Sequence, residues 1–69
     1  MDNFQRIRKA TLDARARTGD KRIGVNVGDG IYAVILAIPP AAGRGKYVID
    51  YHWAGRSADE AIKFLETMQ

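Results

Sequence analysis

The chain has no cysteine, one histidine and two prolines among its 69 residues. Lack of cysteine excludes disulfides, thiolate metal ligands and a cysteine nucleophile. His52 alone falls far short of the four nitrogen or sulfur ligands a structural zinc usually takes, so no metal or cofactor is expected. The longest apolar run, Ile31 to Pro40, is well under the roughly 20 residues that cross a bilayer. The opening Met-Asp-Asn-Phe-Gln-Arg has no apolar signal-peptide core. These absences point to a cytoplasmic protein with no membrane partner. Glycines cluster at Gly28-Asp29-Gly30, but this tripeptide joins two strands, whereas a dinucleotide fingerprint or a Walker loop joins strand to helix.

What is present reads as one domain over 1–69, of class α+β, in the order α-β-β-β-α. Phe4, Ile7, Ala10, Thr11 and Ala14 recur at spacings of three and four and predict a helix. Asp2 or Asn3 is placed to cap its start and Gly19 to stop it, while Leu12 falls off the stripe. From Lys21 the period changes to two. Ile23, Val25 and Val27 alternate with Gly24, Asn26 and Gly28, and Asp29-Gly30 predicts a two-residue type I′ hairpin turn. Ile31 to Ile38 is apolar on both faces, as suits a central strand, and Pro39-Pro40 ends it. Lys46 to Trp53 reads as a third strand, with Gly55 as its breaker. Ser57-Ala58-Asp59-Glu60 is a capping box. It opens a helix whose stripe is Ala58, Ala61, Ile62, Leu65 and Met68, with Phe64 at the edge.

Hairpin parity then assigns the faces of this three-stranded antiparallel meander. A two-residue turn sets odd positions of the first strand opposite even positions of the second. Ile23, Val25 and Val27 therefore share a face with Tyr32, Val34, Leu36 and Ile38. Tyr47, Ile49, Tyr51 and Trp53 are expected to join them as the floor for two helices packed mainly on one face. The opposite face is expected to expose Ile31, Ala33, Ile35, Ala37 and Val48, with Asp50 and His52 beside them. An apolar strip of this kind suits a protein interface, including a homodimer. A chain this short buries only about 60% of its unfolded surface, and association is one way to add stability.

Charge is polarised along the chain. Seven basic residues against three acidic ones give residues 1–22 a net +4, and four basic against five acidic give the remainder −1. Arg6, Arg8, Lys9, Arg15, Arg17, Lys21 and Arg22 make up the basic segment; Arg8 and Arg15 lie on one flank of the first helix, Arg6 and Arg17 on the other. Arg44 and Lys46 in Gly43-Arg44-Gly45-Lys46 add cations on a flexible loop. Together these nine residues predict engagement of an anionic partner, nucleic acid or a nucleoprotein complex. The element order resembles that of double-stranded-RNA-binding domains. Where those have a longer first loop and a lysine cluster opening the last helix, this chain has Asp29-Gly30 and Asp59-Glu60. Their function is therefore not carried across.

Catalysis is not expected. Ser57 is explained as a cap, Asp29 by its turn, and His52 sits in a Tyr-His-Trp strand run with no motif placing a third group beside it. The expectation is a small non-catalytic binding module. The alternative is a protein-binding regulator or inhibitor, such as a phage-type inhibitor of host defence. It would act through the sheet face or through an edge strand made accessible by its glycines and sparse charge.

Overall fold

The computed structural model describes residues 2–69. The elements are α1 (Asn3–Thr18), β1 (Ile23–Gly28), β2 (Ile31–Ile38), β3 (Val48–Gly55) and α2 (Ala58–Thr67). The strands form an antiparallel sheet in the order β1-β2-β3, and both helices pack on one of its faces. The α-β-β-β-α arrangement expected from the sequence is therefore the one observed.

Local chemistry explains each boundary. Asp2 caps α1, its carboxylate accepting the Gln5 amide at 2.8 Å, which satisfies one of the donors a helix start leaves open. Gly19 ends α1 in the left-handed region at φ 74°, and its amide donates back to the Arg15 carbonyl. Asp29 and Gly30 both have positive φ, 52° and 75°, as a type I′ turn requires. Ser57 caps α2 by accepting the Glu60 amide. No glycine closes the far end of α2; its cap residue is Met68 in extended conformation.

The core lies between the helices and the parity-matched face of the sheet. Ile23, Val34 and Leu65 are its largest fully buried side chains. Ala14 and Ala61 are fully buried with them, and small residues on both helices let the axes approach closely. Val25 pairs with Val34 and Val27 with Tyr32, as the two-residue turn dictates. Phe4 belongs to the expected stripe but is 70% exposed. Thr11 is buried without penalty, since its hydroxyl donates to the Ile7 carbonyl at 2.7 Å.

The third strand departs from expectation. It spans Val48–Gly55, so Tyr47 precedes it and Gly55 is its last residue. Ile35 pairs with Tyr51 and the next partner, Val34, pairs with Trp53. His52 is thus the extra residue of a β-bulge. One inserted residue reverses parity along the strand. Only Trp53 joins the helix-facing floor, where it stacks on Phe64 with ring centroids 6.3 Å apart. Ile49 and Tyr51 turn to the open face, opposite Ala37 and Ile35. Val48 pairs with Ile38 and therefore leaves the strip to which parity without a bulge assigned it, as does Asp50.

The open face is uncovered by either helix, yet Ala33 and Ile35 on it are buried. Ala37 is half-buried, and the large apolar side chains left exposed on this face are Ile31, Ile49 and Tyr51.

Gly55 holds the bulged end of β3 together. A Cβ there would sit 2.7 Å from the Trp53 indole, whereas at Gly28 it would meet nothing within 4 Å. Gly55→Ala is expected to push the indole off Phe64 and cost about 1–3 kcal/mol in urea unfolding. Gly28→Ala should stay within about 0.5 kcal/mol of the parent. Equal effects of the two changes would contradict the packing described.

Candidate binding groove between the first helix and the edge strand

The basic residues of α1 divide by flank, and the two flanks do different work. Arg6 reaches Asp59 at the start of α2. Arg17 reaches the other end, donating through Nε to the Met68 carbonyl at 2.9 Å and through Nη2 to the Leu65 carbonyl at 2.6 Å. The helices therefore run parallel, joined at both ends by arginines eleven positions apart on one flank. Arg17 also places positive charge at the carbonyl end of α2, which has no basic residue in its own last turn. That arrangement opposes the helix dipole and satisfies open carbonyls together.

Other cations are held locally. Lys9 pairs with Asp13 at 2.9 Å, and the hydrogen bond to that carboxylate raises the lysine pKa. Arg22 grips both carboxylate oxygens of Asp20 at 2.9 Å and Asp20 also accepts the Arg22 amide. Hydrogen bonding from the Arg22 side chain, then from its backbone, brings the Asp20 pKa down to about 2. Five of the nine basic residues expected at an anion site, Arg6, Lys9, Arg15, Arg17 and Arg22, thus have intramolecular partners.

Arg15 is the fifth, and its contact differs in kind. Its Nε donates to the Ile23 carbonyl at 2.7 Å. The Ala37 amide donates to the Arg22 carbonyl, so alternation along an antiparallel pair turns Gly24 and Asn26 toward β2 and turns Ile23, Val25 and Val27 outward. Arg15 therefore covers one carbonyl of the exposed edge of β1. Among the described residues, the amides and carbonyls of Val25 and Val27 have no strand partners on that edge. The opposite edge, on β3, is interrupted by its bulge, a common guard against pairing; β1 carries none.

Between this edge and α1 lies an open groove of about 530 Å³. Arg8 and Arg15 line it together with apolar surface from Phe4, Ile7, Leu12, Val25 and Val27. Among the described residues no carboxylate lines it. Leu12, off the helical stripe, is 49% exposed here. Periodicity marked Phe4 as core and Leu12 as marginal; their meeting at the edge strand depends on tertiary placement. Lys21 precedes β1, and Arg44 and Lys46 lie in the β2–β3 loop, which leaves the sheet at the end where β1 begins. They form no ion pair among the described residues.

The serine and threonine hydroxyls are occupied structurally. Thr11, Thr18 and Thr67 each donate to a backbone carbonyl at 2.7 Å, and Ser57 is the α2 cap. His52 lies 3.1 Å from Asp50, and both side chains are solvent-accessible. Among the described residues no three acidic or imidazole groups gather as a metal site, and no helix is long and apolar enough to cross a membrane.

Removing each class of arginine separates the roles by stability. Arg17→Ala is expected to lower stability by about 1–3 kcal/mol in urea unfolding, because two α2 carbonyls lose a charged donor. Arg8→Ala should change it by less than about 0.5 kcal/mol. The reverse order would contradict the division of the flanks. No protein-family model, no curated protein and no solved structure matches this chain.

Proposed function

We propose that this chain is a small non-catalytic module that binds an anionic partner through the β1-side flank of α1. Arg8 and Arg15 are its central cations, and Lys21, Arg44 and Lys46 add positive potential at the neighbouring end of the sheet. The observation that carries this reading is the groove itself: two arginines beside apolar surface and an unpaired strand edge, with no carboxylate among the lining residues. Structural use of Arg6, Lys9, Arg17 and Arg22 narrows the working surface from the whole basic segment to this flank. The engagement of every serine and threonine hydroxyl with backbone supports a role without catalysis.

Nucleic acids, nucleoprotein complexes and acidic polypeptide segments all present the required charge. Fluorescence anisotropy of labelled duplex DNA and labelled polyglutamate, at low and moderate salt, tests the shared requirement. At least one probe is expected to bind with affinity that falls as salt rises. Arg8→Glu should weaken that binding by about tenfold or more while leaving the unfolding midpoint unchanged. Failure of both probes at low salt, or indifference to Arg8→Glu, would overturn the reading.

A further inference from the structure

We infer that the α1–β1 groove takes an extended acidic polypeptide segment, which adds to β1 as a fourth strand. This rests on the anionic-partner reading and specifies the partner. Three features converge on the same place. The outward amides and carbonyls of Val25 and Val27 supply a pairing template of the kind used in strand addition. Phe4 and Leu12, exposed beside Val25 and Val27, give apolar side chains of an added strand a surface to cover. Arg8 and Arg15 select for negative charge; the terminal nitrogens of Arg15 stay available because Nε alone holds the Ile23 carbonyl.

The alternatives fit less of this surface. A nucleic acid would meet the arginines but would leave the edge amides without strand partners and cover the apolar floor poorly. A second copy pairing β1 to β1 about a two-fold axis would bring two α1 helices side by side on the same sheet face. Arg8 and Arg15 would then confront their own copies, and like charges at such a junction oppose association. An acidic partner reverses that sign.

The geometry also restricts the sequence of the segment. Arg8 and Arg15 are separated by about 10 Å along the helix axis. Side chains on one face of a strand recur every ~7 Å, so carboxylates four residues apart span about 14 Å. Two arginine side chains bridge that difference, and the residue midway falls over Leu12. The favoured pattern is therefore acidic–any–apolar–any–acidic, with all three specified residues facing α1.

The probe is a fluorescein-labelled, end-capped peptide of about nine residues, with glutamate at its third and seventh positions, leucine at its fifth and threonine elsewhere. Anisotropy is expected to saturate, and Arg8→Glu to weaken binding by about tenfold or more. Backbone pairing gives a sharper sign, because alternate amides of an added strand face β1. N-methylation of the peptide amides of one parity should weaken binding by more than about tenfold, and methylation of the other parity should leave it within about twofold. Equal sensitivity at both parities would overturn strand addition even if the peptide binds. No saturation up to about 1 mM, with labelled duplex DNA binding in an Arg8-dependent way, would overturn the polypeptide partner and leave the anionic reading standing. Failure of both probes would remove both.

Discussion

Two arginines two positions apart hold α1 between its neighbours, and both do so by donating to backbone carbonyls that secondary structure leaves open. Arg17 closes the end of α2 and Arg15 closes the first carbonyl on the outer edge of β1. A separation of two residues turns side chains to opposite flanks of a helix, so one short stretch reaches both elements. The small core of Ile23, Val34, Leu65 and two buried alanines has little apolar area with which to fix the helices. Charged donors at the periphery supply orientation that packing alone would leave loose. Parallel helices, the cover over one sheet face, and the groove beside β1 all depend on that placement.

The same arrangement accounts for the distribution of free charge. Arg6, Lys9 and Arg22 have their charge offset by carboxylates, and the other cations of the segment are sorted by position. Arg8 faces the groove, while Lys21, Arg44 and Lys46 stand at one end of the sheet. A segment that looks uniformly basic in sequence is therefore divided by the fold into a flank turned to α2 and a flank turned to the β1 edge and its groove.

Much of the fold was legible because its signals are local. The caps at Asp2 and Ser57, the left-handed stop at Gly19, the Asp29-Gly30 turn and the two helical stripes each follow from chemistry within a few residues. Hairpin parity then assigned β1 and β2 to their faces correctly. It failed at β3, since the bulge at His52 is a single inserted residue with no composition signal, and it moves Ile49 and Tyr51 to the open face. The division of arginines by flank was visible at helical spacing, but the work of each flank was not. Which flank meets α2 and which meets the β1 edge is settled by long-range packing. The groove was hidden for the same reason: Phe4 read as core, Leu12 as marginal, and Val25 and Val27 as a half-buried strand, with nothing in their spacing to bring them together.

β1 presents an unpaired edge whose outward groups belong to Val25 and Val27. Residue-resolved amide hydrogen exchange of the free protein tests it most directly. Rapid exchange is expected at Val25 and Val27 and strong protection at Gly24 and Asn26, in strict alternation along one strand. Protection at Val25 and Val27 matching that of their neighbours would mean that the edge is already covered and closed to an added strand.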